Sequence, residues 1–317
     1  MSEKIFLLAQ RFFSTIRVRL LLIFFLFTSI LSVVTFTFYK IYEESETDSK
    51  LKDAVHSLSS KILLLYNYEL QFIQNDLKNN KFFQTGQSYN VNMHQEMMVG
   101  IIQDIDAIDQ KKITDSGTRE KLNQLRSDLH NYDNTYTQYL EKVKERGFRD
   151  YGLEGTMRKY IHDAERYKYP LDMMTLLLMI RRNEKDYILR KDTSYIPLHN
   201  NNVNVLINKI ESDATMSDSL KKQMLFLINN YRFYFNKWVV IDREIGIDQG
   251  IGLSARLKEY NAGFHDTISK IINEVNAETK QLGHINEIIL FITIGISIVL
   301  SILLSIFFSS VFTKPII

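Results

Sequence analysis

The chain has 317 residues, with 39 Lys and Arg against 37 Asp and Glu, a net charge of +2, 12 Gly, 3 Pro and no Cys. So near-neutral a balance argues against a dedicated nucleic-acid binder, and the missing cysteine excludes disulfides, thiolate metal sites and cysteine nucleophiles. So few helix breakers leave long stretches free to stay helical.

Residues 1–19 read as a cytoplasmic N-terminus. Between Arg19 and Lys40 lie 20 uncharged residues, LLLIFFLFTSILSVVTFTFY, enough to cross a hydrocarbon core of ~30 Å. Residues 20–39 are therefore the first transmembrane helix, kept as an anchor because no small-residue cleavage site follows. A second run, IILFITIGISIVLSILLSIFFSSVFT, lies between Glu287 and Lys314 and makes 288–312 the second transmembrane helix. Lys4, Arg11, Arg17 and Arg19 precede the first run, and Glu43, Glu44, Glu46 and Asp48 follow it. The positive-inside bias then places both termini in the cytoplasm and residues 40–287 outside, across a bacterial inner membrane. The chain stops soon after the second run, at TKPII (313–317), so an output region is expected to follow.

The middle region shows helix-period apolar patterning and little β-alternation. Helices are expected near 41–82, 90–112, 118–146, 151–191, 196–212, 217–245 and 252–286, with breaks at Gly86, Gly117, Gly147/Gly152, Asp192/Pro197 and Gly246/Gly250/Gly252. The segment after the first span, as a helix of roughly 63 Å, is too tall for one compact four-helix bundle and suits two storeys. Both ends of the region must reach the membrane, so the number of passes is even. Seven segments are one short or one over: either a break is a kink, or Pro170 splits the fourth segment.

A repeat supports two storeys. NYDNTYTQYLEKVKERG (131–147) aligns with NYRFYFNKWVVIDREIG (230–246), GLEGTMRKY (152–160) with GLSARLKEY (252–260), and LLYNYELQFI (64–73) with MIRRNEKDYI (179–188). Glycine lets the chain turn and the next apolar residue re-enters the core. Repeated glycine turns also argue against a plain helical stalk, which needs no reversals.

The strings RRNEKDYILRKD (181–192), ERGFRDYGLEGTMRKYIHDAE (145–165) and REIGIDQGIGLSARLKEY (243–260), with two flanking spans, resemble the helical bimodular sensor domain of bacterial chemoreceptors and sensor kinases. TKPII resembles the start of a HAMP linker. The resemblance implies an all-α fold of two stacked four-helix bundles and a homodimer in the lipid bilayer. It also implies recognition of a small organic anion or of a ligand-loaded periplasmic binding protein. This chain departs from an even duplication in one respect: Tyr66 and Asn67 stand where the second copy has Arg181 and Arg182.

Those arginines are the first ligand candidates. On a helix, Met174, Leu178, Arg181, Lys185 and Ile188 share one stripe, and Leu177, Ile180, Glu184 and Tyr187 the next. Charges therefore replace apolar residues on the core-facing side, and an arginine fork suits a carboxylate. Arg190 and Tyr187 at the same helix end belong to this set. The competing reading is that Asp186, four residues from both Arg182 and Arg190, and Glu184, three from Arg181, simply pair with them. Arg158, Arg256 and Lys258 follow the glycine turns and are either further anion contacts or solvated first-turn residues. Tyr132, Tyr136, Tyr139, Tyr231, Phe235 and Trp238 read as core. Asp104, Asp106 and Asp109 fit no calcium loop and read as a solvated acidic face. The seven histidines are scattered, and no zinc-protease, nucleophile-elbow or phosphate-loop motif is present. No catalytic residue, metal or cofactor is expected.

Overall fold

A computed structural model describes residues 16–109, 116–246 and 250–313; Lys4, Arg11, Lys314 and most of TKPII lie outside the described residues. Among those described, every regular element is helical. They are α1 (Ile16–Asn75), a 3-10 turn (Asp76–Lys78), α2 (Asn80–Thr85), α3 (Tyr89–Asp109), α4 (Ser116–Arg146), α5 (Gly152–Glu165), α6 (Leu171–Arg190), α7 (Tyr195–Ser212), α8 (Asp218–Ile245) and α9 (Gly252–Thr313). Pro170 divides the expected fourth segment, one of the two alternatives. It caps α6 in an extended conformation, with φ −53° and ψ 151°, and splits the expected 151–191 helix into α5 and α6. Pro197 sits in the first turn of α7, where its missing N–H costs no hydrogen bond.

The chain divides into two compact units, one reaching His56 and resuming at Lys270, the other Ser57–Ser269. In the first unit the two apolar runs belong to helices long and apolar enough to cross a membrane, and among the described residues no side chain of either run is buried. A core helix of a soluble domain would be covered; these expose Phe24 and Phe291 at 70% and 72%. Uncovered apolar surface on this scale is consistent with a membrane protein. Several hydroxyls within the runs close onto their own helix, as Ser32 does on the Thr28 carbonyl and Thr293 on that of Ile289, which satisfies them without water.

The second unit holds two four-helix bundles. The first takes α1, α3, α4 and the start of α9. The second takes α5, α6, α7 and α8. In each, buried positions alternate at spacings of three and four: Leu58, Ile62, Leu65 and Phe72 on α1; Leu122, Leu125, Leu129 and Tyr132 on α4; Met224, Ile228, Tyr231 and Phe235 on α8. That spacing keeps one seam of each helix facing the bundle axis. Neighbours run antiparallel. Lys61 pairs with Asp104 at 2.8 Å, Arg126 with Asp106 at 2.6 Å and Arg119 with Asp109 at 3.3 Å, so the three aspartates face bases of the adjoining helices.

The glycine segments do not reverse the chain. The end of α4 meets the end of α8 through Arg146 and Asp242 at 3.1 Å and Lys142 and Glu244 at 2.8 Å. Beyond Gly147 and Gly152, α5 continues along α8 into the other bundle, with Tyr160 stacked on Tyr234 at 5.5 Å and Tyr167 bonded to Gln223. Beyond Gly246 and Gly252, α9 continues the other way beside α4, where Phe264 packs on Tyr132 at 5.4 Å. Reversals fall instead between α1 and α3, at 166–170, at 191–194 and at 213–217. The expectation that these glycines mark turns back is thus corrected: they are joints, and they give no argument against a stalk.

The sequence repeat acquires a structural meaning from these joints. Copy one is α1, α3, α4 and α5; copy two is α6, α7, α8 and α9. Each bundle takes three helices from one copy and its fourth from the other. Gly147 and Gly246, at φ 84° and 73°, sit where a side chain would strike backbone: a Cβ would lie 2.0 Å from the Tyr151 carbonyl oxygen and 1.6 Å from that of Ile251. Alanine at either position is expected to cost ~1 kcal/mol or more. By contrast Gly263→Ala, on a helical site with no atom within 4 Å of the added Cβ, is expected to gain roughly 0.5–1 kcal/mol. Thermal unfolding of the detergent-solubilised chain checks both signs.

Candidate functional site

Each bundle interrupts its apolar seam with a polar cluster, and the clusters occupy matching places. In the first, α1 contributes Glu69, α3 His94, α4 Tyr132 and α9 Asn261. His94 Nε2 lies 2.8 Å from the Tyr132 hydroxyl, which donates to Glu69 Oε2 at 2.8 Å; Asn261 Nδ2 donates to the same oxygen at 2.8 Å. The His94 ring stacks on Tyr136 at 3.7 Å. In the second, α6 contributes Glu184, α7 His199 and α8 Tyr231. His199 Nε2 lies 3.1 Å from the Tyr231 hydroxyl, which donates to Glu184 Oε2 at 2.6 Å. The His199 ring stacks on Phe235 at 3.7 Å.

Burial sets the protonation of these groups. Both histidines are fully covered, and burial lowers each to about 3, so both are neutral at pH 7. With Nε2 carrying the hydrogen, each imidazole donates to the tyrosine oxygen and each tyrosine donates to its carboxylate, which gives every bond a proton. Burial raises the Glu69 carboxyl, against the hydrogen bonds from Tyr132 and Asn261, which lower it. Burial also pushes the Tyr132 and Tyr231 hydroxyls far up, so they stay donors.

The second cluster includes Arg181. Its side chain is 12% exposed and its Nη1 donates to both oxygens of Glu184, at 2.9 and 2.7 Å. Its Nε faces Glu165, at the rim of α5, at 3.3 Å. The core stripe of α6 is Met173, Leu177, Ile180, Glu184 and Tyr187, while Leu178 is 60% exposed. Arg181 therefore stands at the edge of the seam and reaches in. Arg182 and Arg190 flank Asp186 at 3.5 Å each, with side chains 82% and 64% exposed, and Arg190 also donates to the Tyr195 hydroxyl. These two form the surface ion pairs that their spacing allows.

Tyr187 belongs to a third buried group at the junction of the bundles. Its hydroxyl reaches Asp242 at 3.4 Å, and Asp242 also takes Lys191 at 2.9 Å and Arg146 at 3.1 Å. Lys191 and Arg146 lie 5.0 and 6.0 Å from the Trp238 ring, where a cation is favoured by the ring face. Arg158 is half-buried on α5. Arg256 and Lys258 are exposed on α9, in the first bundle and apart from Arg181. Arg256 borders an open cleft with Gln138, Glu141, Lys142 and Glu244.

Sequence reading places Glu184 and the aromatic stripes at the core, but the stripe it gives Arg181 with Met174 and Leu178 faces outward, so Arg181 is corrected to the edge of the seam; the reading misses the histidines. The signal for them is present: His94, Met98, Ile101 and Ile105 repeat as His199, Val203, Leu206 and Ile210. Among the described residues no group of three or more acidic or imidazole side chains is arranged to hold a metal. Neither a known family model nor a curated protein matches this chain.

Tyr132→Phe or Tyr231→Phe removes one donor from a buried carboxylate and the partner of a buried imidazole, and each is expected to cost ~1–3 kcal/mol in thermal unfolding. The histidines also set a pH dependence. Their folded values lie below the unfolded value, so as pH falls from 6.5 toward 3 the unfolded chain binds protons that the folded chain refuses. The stability lost is at most ~1.4 kcal/mol per pH unit per histidine. Glu69, with its carboxyl raised, acts with the opposite sign in the range where only the folded form holds its proton. Changing both His94 and His199 to Gln leaves Glu69 in place, and the unfolding temperature should then fall less steeply between about pH 6.5 and 5.

Proposed function

We propose that this chain is a transmembrane signal receptor of the helical bimodular type. Its region 40–287 stands outside a bacterial cytoplasmic membrane, both termini face the cytoplasm, and two copies associate as a homodimer. The charge bias across the first apolar run supports this orientation. The region binds a small organic anion and passes the event through the second apolar helix to an output module of the methyl-accepting or histidine-kinase type. It performs no chemistry of its own.

The observation that carries the anion reading is the uneven pairing of Arg181. Its buried partner Glu184 is 4% exposed and its rim partner Glu165 is 33% exposed. A ligand carboxylate can take the place of Glu165 on the guanidinium without stranding Glu184. That exchange frees the end of α5 from α6. Lys191, which caps the end of α6, holds Asp242 on α8 together with Arg146 on α4, and α8 leads through the Gly246 joint to α9. One helix, Gly252–Thr313, carries both Asn261 of the first cluster and the second apolar run. Moving a two-state receptor from 1:99 to 99:1 takes about 5.5 kcal/mol of differential affinity, and a micromolar ligand supplies about 8 kcal/mol in total.

A second reading is favoured by one surface. On α8 Phe226, Phe233 and Val240, seven residues apart, are 60%, 61% and 52% exposed, a stripe suited to a ligand-loaded periplasmic binding protein. Calorimetry of the full chain against a panel of small carboxylates separates the two. Saturable heat that weakens at least tenfold in Arg181→Lys, which keeps the charge and loses the fork, supports the anion. Equal heats in both proteins, or none in either, reject it and leave the docking surface.

A further inference from the structure

The carboxylates of the two matching clusters differ in their partners. Glu184 gives both oxygens to the guanidinium of Arg181. Glu69, 4% exposed, receives Tyr132 and Asn261 on the single oxygen Oε2, and neither donor is a cation. No charged group is among the causes that shift Glu69. The place three residues before it, where Arg181 stands in the second copy, is Tyr66. The place on the fourth helix where the second bundle has the buried apolar Ile161 is Asn261, and its Oδ1 is buried with no donor. The first cluster thus lacks the cation of its twin and holds in its stead an extra acceptor. A buried carboxylate without a compensating charge is costly.

We propose that the first bundle is a binding site for an organic cation, a protonated primary amine whose N–H groups are taken by Glu69 Oε1 and Asn261 Oδ1. The ligand does from outside what Arg181 does within the second bundle. An ammonium group brings three donors in a small volume. The aromatic rings beside Asn261, those of Tyr132, Tyr260 and Phe264, lie 5.4–6.3 Å from one another and favour a cation over an anion. This site lies in the other bundle from the anion site at Arg181, uses other residues and selects the opposite charge, so either can fail alone.

The test is thermal unfolding of the detergent-solubilised full chain, titrated at neutral pH with propylammonium chloride. Tetramethylammonium chloride, which has no N–H donor, and sodium chloride serve at equal ionic strength. Propylammonium alone should raise Tm saturably by several degrees. Glu69→Gln, of the same shape and neutral, should lose that response. Tyr66→Arg, which sets a guanidinium three residues before Glu69 as Arg181 is set before Glu184, should raise Tm without ligand and abolish the propylammonium response. Equal responses to the three salts, or a propylammonium shift that survives in Glu69→Gln, would overturn the proposal. So would no shift at all together with an infrared band of a protonated carboxyl that disappears in Glu69→Gln, since a proton then holds the place of the amine.

Discussion

Neither copy supplies all four helices of a bundle, and this constraint governs the rest of the middle region. Copy one sends α5 across to the second bundle and receives α9 in return. The exchange passes through two joints where glycines at positive φ bring the chain within side-chain distance of its own backbone. Every four-helix core is thus completed by a helix of the other copy. The Asp242 cluster lies where the two exchanged paths cross, tied to α4 by Arg146 and to α6 by Lys191. Three charges in one buried group are a poor source of net stability, since desolvation offsets most of their attraction. Their effect is to fix register between the ends of the helices that meet at the junction.

The polar clusters inside the seams act in the same way. A bundle of leucine and isoleucine alone would tolerate rotation and sliding of its helices. A carboxylate that must meet one tyrosine, with an imidazole behind it, permits a single alignment. The two copies differ as matched sets. Where α6 has an arginine beside the carboxylate, the fourth helix offers isoleucine. Where α1 has a tyrosine, the fourth helix offers asparagine. Because the fourth helices are exchanged, each of these matched sets combines residues from both copies.

Much of the architecture is legible in the amino-acid order. Apolar spacing of three and four, interrupted by glycine and proline, gives most helix limits within a few residues, although the helix expected to reach 82 ends at Asn75 and the one expected over 151–191 is two; the two uncharged runs stand out by length alone. The repeat was visible at Tyr132 and Tyr231 and at the paired glycines. What could not be read was direction: a glycine at positive φ serves a reversal and a straight joint equally well, and only the partners of α5 and α9 distinguish them. The edge of the α6 seam was equally hidden. Arg181 is one residue, about 100° of rotation, from Ile180, and an arginine is long enough to enter the core from there. The histidines were overlooked because a single imidazole has no pattern until its twin is aligned with it.

The exchanged fourth helix has an implication for origin. A chain holding one copy would have α1, α3, α4 and α5, a full set for one bundle, provided the joint after α4 bent back on itself. With the joint straight, as here, two such chains would have to trade their last helices and would form an intertwined pair with the same core contacts. Fusing that pair end to end yields the present connectivity without any new packing. In such a history the dimer came first, and the tandem gene recorded it.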